Sequence, residues 1–377
     1  MKFGTPLLLA VLLLPAVVAA QATTPSDAIA LEQQGRLTEA TQAWRAVTVE
    51  NPRDAAAFAS LGVDLARQQK YDEAVIAYHK ALALNPKLPG IPINLGLALF
   101  KLGNFKSAIA PFNAALSADP KNMQARTLLG LSYYGAKDFP QAAKQLEVAA
   151  KADPSNVELQ QMLAQSCLLM KNYQCAAGTF RQILQQNPDS AAVHILLGEA
   201  LDGMDRREDA IAEFQAAAQA GPKEPNVHFG LGYLYWKARR LDDANKEFET
   251  ELANDPAHAQ SIAYLGDIEM KKNNVEGAVP LLKKAIQLKP DLRLAYVDLG
   301  TIFMQQKKYD GAVASFQRAV ELDPSEPDAH YRLARIYQTL GKTEESKKEF
   351  AKVVQLHQNE DADLAARMPA PAAVQAK

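Results

Sequence analysis

Pro290-Asp-Leu-Arg-Leu-Ala-Tyr296-Val-Asp-Leu-Gly300-Thr-Ile-Phe303-Met-Gln-Gln-Lys-Lys-Tyr309-Asp-Gly-Ala312-Val-Ala-Ser-Phe316-Gln-Arg-Ala319-Val-Glu-Leu-Asp-Pro324 is one period of a pattern that the chain repeats. Its end prolines stand 34 residues apart, and prolines recur at that interval at 52, 86, 120, 154, 188, 222, 256, 290 and 324. Asn, Asp, Gly or once Lys precedes each, as at Asn51, Asp119, Gly221 and Lys289. That suits a chain leaving a helix and held out of helical geometry before proline. The prolines therefore mark helix ends.

Two further series run in step with the prolines. Twelve residues upstream of each is a small residue: Ala40, Ala74, Ala108, Ala142, Ala176, Ala210, Ala244, Ala278 and Ala312. A second small series falls at Gly62, Gly96, Gly130, Ala164, Gly198, Gly232, Gly266, Gly300 and Ala334. A glycine inside a helix costs about 1 kcal/mol relative to alanine, so its recurrence needs a packing reason, here read as close approach of two helix backbones. Around these positions the apolar residues keep offsets of three and four, as in Leu61, Gly62 and Leu65, then Tyr71, Ala74, Tyr78 and Ala81. Such offsets place them on one helix face. Turn-prone or polar pairs such as Gly103-Asn104, Lys171-Asn172 and Asn273-Asn274 lie between. Each period thus reads as helix, tight turn, helix.

Repeat nine carries Tyr296, Leu299, Gly300, Phe303, Tyr309, Ala312, Phe316, Ala319 and Pro324, and with this set the chain resembles the tetratricopeptide repeat family over about residues 24–358. The resemblance implies an all-α fold, a right-handed α-solenoid or superhelix of about ten 34-residue helix-turn-helix hairpins. The expected organisation is a secretory signal peptide at 1–22, ten repeats over 23–358 and a short solvating helix with an Ala/Pro-rich tail at 359–377. The repeats fall near 21–54, 55–88, 89–122, 123–156, 157–190, 191–224, 225–258, 259–292, 293–326 and 327–358. Repeat one opens with Thr24-Pro25-Ser26-Asp27, where Thr24 can cap and Pro25 suits a first helical position. Repeat ten has Ser346 in place of alanine and lacks the closing proline, as a capping unit would. Pro111 and Pro280 fall inside second helices and predict local bends.

In this family the first helix of each hairpin lines an inner groove. Carried over by register, the groove includes Asn94, Leu97, Phe100, Leu131 and Tyr134, then Phe229, Tyr233, Trp236, Tyr264 and Met270, rimmed by Lys101, Lys237 and Lys271. Any one of these side chains could instead pack between neighbouring helices. As a set they resemble a site for an extended or helical segment of another protein, anchored by a few aromatics. The Lys and Asn constellation by which some members grip a carboxylate terminus is missing, with Asn94 alone holding one of its positions. Asn94 is also the sole representative of the asparagine ladder found in other members.

His194, His228 and His330 share one register, where the family places a bulky packing residue, and read as packing rather than metal ligands. Cys167 and Cys175 are separated by seven residues across the turn of repeat five. Sel1-like hairpins, a related family, place disulfides across that spacing, so resemblance and export together imply a bridge. Two reduced thiols filling helical positions remain the alternative.

Composition bounds the function. With 41 Lys+Arg against 43 Asp+Glu and no sustained basic run, nucleic acid is not an expected partner. Lys2, the apolar Leu7 to Leu14 and the small residues to Ala22 read as an export signal, too short and too interrupted by Pro15 for a membrane span. The protein is therefore expected to be periplasmic or secreted, with no span after cleavage. Neither an HExxH helix, a nucleophile elbow nor a Walker loop occurs, and the repeats leave no segment of domain size, so no enzyme activity and no cofactor are expected. The expected role is a scaffold of the bacterial cell envelope that binds a partner polypeptide. Two alternatives stand beside it: a self-associating spacer, and a regulatory subunit of an enzyme, such as a glycosyltransferase or peptidase, carried on another chain.

Overall fold

The computed structural model describes residues 24–367, with side chains placed for 24–359. The expected signal at 1–22 and the end of the tail, 368–377, lie outside the described residues. Among the described residues there are twenty α-helices and no strand. They fall into two compact units, divided after Met170.

Unit one holds α1 (Pro25–Gln33), α2 (Leu37–Glu50), α3 (Ala55–Arg67), α4 (Tyr71–Leu84), α5 (Ile91–Lys101), α6 (Phe105–Ala118), α7 (Met123–Gly135), α8 (Phe139–Ala152) and α9 (Val157–Leu169). Helix α1 packs on α2, α3 on α4, α5 on α6 and α7 on α8, and each even helix packs on the next odd one. The odd helices also touch each other directly, α3 on α5, α5 on α7 and α7 on α9. Unit two holds α10 (Tyr173–Gln186), α11 (Ala191–Gly203), α12 (Arg207–Ala220), α13 (Val227–Lys237), α14 (Leu241–Asn254), α15 (Ala259–Lys271), α16 (Val275–Leu288), α17 (Arg293–Gln305), α18 (Tyr309–Leu322), α19 (Pro327–Thr339) and α20 (Thr343–Arg367). The same alternation holds within it, and α15 meets α17.

The turn inside each hairpin has one conformational requirement. Gly35, Gln69, Gly103, Lys137, Lys171, Asp205, Arg239, Asn273, Lys307 and Gly341, spaced 34 apart, all have positive φ. That left-handed residue lets the following amide turn back, as Lys70 N–H bonds to Leu65 O at 2.9 Å and Lys308 N–H to Phe303 O at 2.8 Å. At the other end of the period the residue before each proline leaves helical geometry, Asp119 having φ −135° and ψ 91°.

The glycine series has a different cause from the backbone approach expected of it. A Cβ on Gly62 would sit 2.5 Å from the Tyr78 ring, on Gly96 2.6 Å from Phe112, on Gly232 2.8 Å from Phe248 and on Gly300 2.9 Å from Phe316. In these four periods the glycine makes room for a ring on its own hairpin's second helix, sixteen residues along, and at Gly130 and Gly266 for Leu146 and Leu282 in the same place. Tyr78, Phe112, Phe248 and Phe316 are fully buried. Burying each side chain contributes roughly 1.5–3 kcal/mol, which outweighs the helix propensity lost at glycine.

The ends fit the capping expectations in part. Thr24 and Asp27 form a reciprocal capping box at α1, with Pro25 in its first turn. Ser346 is buried and donates its hydroxyl to Ala334 O at 2.9 Å, a bond no alanine makes. The separate solvating helix expected after Gln358 does not form, because α20 continues to Arg367. Lacking a closing proline, the chain has nothing to stop the helix there. Helices α6 and α16 both run unbroken through Pro111 and Pro280.

Candidate functional site: the first-helix faces

The densest part of the predicted groove lies on α13 and α15 in unit two. Asn226, before α13, has φ 65° and no side-chain cap. The start of α13 is held instead by the buried Glu251 carboxylate of α14, which accepts from Asn226 N–H at 3.3 Å and Phe229 N–H at 3.0 Å. An anion at a helix N-terminus satisfies orphan amides and the macrodipole together.

Four predicted aromatics meet on this helix pair. Tyr233 stacks on Phe229 (centroids 6.5 Å) and on Trp236 (6.1 Å), while the Tyr264 ring stands edge-on to Tyr233 (5.7 Å) and Trp236 (5.1 Å). Beneath them Phe248 stacks on Tyr264 at 5.3 Å. All four are half-buried, so each ring is both packed and accessible. Burial, followed by the neighbouring Tyr233 and Asp267, pushes the Tyr264 hydroxyl well above its ordinary range. Met270 stands apart, packed on the cluster around Ile262 and Leu282.

Two of the three rim lysines, Lys237 and Lys271, are paired with carboxylates that their register alone does not reveal. Lys237 bonds both oxygens of Asp202, at 2.7 and 2.9 Å, and lies 5.5 Å over the Tyr233 ring. Lys271 pairs with Asp267 and lies 4.9 Å over Trp236. Asp267 also accepts the Trp236 indole N–H at 2.5 Å. Next to this network Asp298 is 3% exposed, and its Oδ2 has no hydrogen-bond partner among the described residues. Burial first, then Asp267, pushes its carboxyl up to about 8 against the pull of Lys271 and Arg332. The signal for these carboxylates was present in the register: Asp298 stands two residues before its glycine, like Asn94 and Tyr264, and Asp267 one after its glycine, like Leu97 and Tyr233.

In unit one Asn94, Leu97 and Lys101 line one cavity of about 260 Å³ with Arg67 and Tyr78. Phe100 and Tyr134 turn toward the hairpin loops, edge-on to Phe105 at 5.2 Å and Phe139 at 5.7 Å. Tyr134 also donates to Gln165 at 3.1 Å, and Leu131 is half-buried. These three do not join a cluster like that of unit two. Asp64, fully buried on α3, has its carboxyl pushed up to about 6 by burial and then by Glu32.

The shared histidine register has a structural use beyond packing. His194, His228 and His330 each bridge a glutamate on the following helix, Glu213, Glu247 and Glu349 at 2.6, 2.7 and 2.6 Å, and the carbonyl six residues back, Pro188, Pro222 and Pro324. Arg126, Gln160 and Tyr296 reach the same carbonyl in their periods, at Pro120, Pro154 and Pro290. Both cysteines, Cys167 and Cys175, are disulfide-bonded.

Helical hairpins at a fixed period, with first helices contacting one another and presenting a mixed aromatic and charged face, define an α-solenoid repeat protein. Family models described as tetratricopeptide repeat match residues 93–157, 229–292, 133–200, 167–231 and 327–360, and one described as TPR repeat matches 64–103 and 300–341. The chain belongs to the tetratricopeptide repeat family. No curated protein matches it. Among solved structures it is similar to the APC/C hetero-tetramer Cut9-Hcn1 (14% identity, 88% of this chain and 80% of that one, TM-score 0.53). It is also similar to a TPR repeat-containing protein from Cytophaga hutchinsonii (19%, 63% and 98%, 0.48) and to MamA (23%, 43% and 95%, 0.41). At these identities the likeness is one of fold. The family and fold support a protein-interaction scaffold in general terms, of a kind that is typically non-catalytic.

Proposed function

We propose that the chain is a non-catalytic scaffold of the bacterial cell envelope that holds a partner polypeptide against its first-helix face. The observation that carries this reading is the cluster of Phe229, Tyr233, Trp236 and Tyr264, half-buried and mutually stacked on α13 and α15. Rigid aromatics with accessible faces are the anchors on which a few residues carry most of the binding energy. The lysines beside them are neutralised by Asp202 and Asp267, so the face offers ring surface and hydrogen bonds rather than net charge. A carboxylate beside each lysine also fixes the rim, which lowers the entropy lost on docking.

Export is supported by the residues before Gln21 and by the bonded cysteines, since disulfides persist where the surroundings oxidise. Crosslinking in an envelope fraction, comparing the wild type with a Tyr233→Ala/Trp236→Ala double variant, tests the binding reading. A partner captured by the wild type and lost in a folded double variant is the expected result; capture unaffected by the substitutions would contradict it. Fractionation with N-terminal sequencing tests export, which would be contradicted by a chain retaining Met1 in the cytoplasm.

A further inference from the structure

Asp64 stands where its register gives no reason for a carboxylate. The same place on the next four first helices holds Ala98, Ser132, Ser166 and Ala200. Ser132 and Ser166 satisfy themselves by donating to the carbonyl four residues back, each at 2.7 Å. Asp64 has no such outlet. It is fully buried on α3, and neither of its oxygens receives a hydrogen bond from a donor among the described residues. A carboxylate left in that state is costly unless it keeps a proton or gains a counter-charge.

Three helices bring charged or titratable groups to it. Arg67, one turn along α3, lies 3.9 Å away with its own side chain largely in solvent. From α4 the Tyr78 hydroxyl feels the Asp64 charge. From α1 comes a second carboxyl group, Glu32, in hydrogen-bonding reach of Asp64. Glu32 is itself fixed by α2, because its Oε1 accepts the Trp44 indole N–H at 2.5 Å. Two facing carboxyl groups can bond only while one of them carries a proton. Burial first, then Glu32, pushes the Asp64 carboxyl up to about 6 against the pull of Arg67.

Helix α1 has little else to hold it. It is 9 residues long, and Ala28 is its one buried residue. Helix α2 is secured on α3 without this contact. Trp44 and Val47 share a buried cluster with Ala57 and Leu61, and the Gln68 amide donates to Leu37 O at 3.1 Å and to Thr41 Oγ1 at 2.6 Å.

We propose that Glu32 and Asp64 share a proton that latches α1 to the second hairpin, and that losing this proton frees α1 while α2 and the helices after it stay packed. The docked form binds the extra proton, since a freed aspartate titrates near about 4. Docking therefore weakens as pH rises from about 4 through about 6, by up to about a hundredfold. The latch lies in unit one and uses no residue of the aromatic face, so either can fail alone.

Hydrogen exchange of the full chain, expressed as protection factors to remove the intrinsic pH dependence of exchange, tests the latch. The amides of Ala28–Gln33 should lose at least about tenfold in protection between pH 4.5 and pH 7.5, while those of α2 should not. Asp64→Ser, which places here the residue that two later first helices carry, should abolish the loss. Should that variant not fold, Glu32→Gln keeps an oxygen for the Trp44 N–H and gives Asp64 a donor, and it should remove most of the loss. Protection of α1 that is level across this range, or that falls in parallel with α2, would overturn the proposal. So would a tenfold loss that persists in either folded variant.

Discussion

Trp236 donates its indole N–H to Asp267 at 2.5 Å, so the most prominent aromatic of the candidate face is tied to the first helix of the next hairpin. Trp236→Phe keeps a ring between Tyr233 and Tyr264 but removes the donor. We expect unfolding in urea to show a loss of about 1–2 kcal/mol. Asp267→Asn in the Trp236→Phe background should add less than it does alone, because the two residues share one bond.

Gly232→Ala should destabilise by about 1–3 kcal/mol, since its Cβ would lie 2.8 Å from the buried Phe248 ring. Gly130→Ala meets Cγ and Cδ2 of the buried Leu146 at 2.8 Å, an aliphatic side chain that can change rotamer where a ring cannot, and should cost less. Equal losses at the two sites, by thermal or chemical denaturation, would mean that the ring does not set the requirement.

Gly178 on α10 is exposed, and a Cβ there meets nothing within 4 Å. Gly178→Ala should stabilise by about 0.5–1 kcal/mol through helix propensity alone. The sign opposite to Gly232→Ala is the check.

Asp298 makes stability depend on pH. Its folded carboxyl titrates near 8, whereas an unfolded Asp titrates near about 4. In that window the folded state binds the extra proton, so stability falls as pH rises from about 4 toward 8. The groups facing it are Asp267 and Lys271 of α15 and Arg332 and Asp328 of α19. Asp298→Asn should flatten this decline and leave the variant more stable than the wild type at pH 8.5. Parallel stability curves across the range would contradict this.

The fold was legible because one period fixes helix ends, turn positions and core registers together. Gly62 and Tyr78 recur as a pair, although only the packed structure shows that the glycine answers a ring rather than a backbone. The turns were harder to define from residue type, since Lys137, Asp205 and Arg239 adopt positive φ where glycine would be the usual signal. The aromatic cluster of unit two was legible by register. What register did not convey was pairing: Asp202, Asp267 and Asp298 read as ordinary polar residues until Lys237, Lys271 and Trp236 are placed beside them. Phe100 and Tyr134 occupy the register of Trp236, yet each meets an aromatic at the start of its own second helix and turns toward the loop.

The central claim is that the aromatic first-helix face holds a polypeptide. Photocrosslinking from a benzoylphenylalanine placed at Tyr233 or, as a comparison, at Leu288, which is exposed on the second helix α16, tests it most directly. The account predicts a discrete protein adduct from position 233 in the envelope, absent from position 288 and lost with Trp236→Ala. Adducts from 288 alone, or from both positions equally, would contradict it.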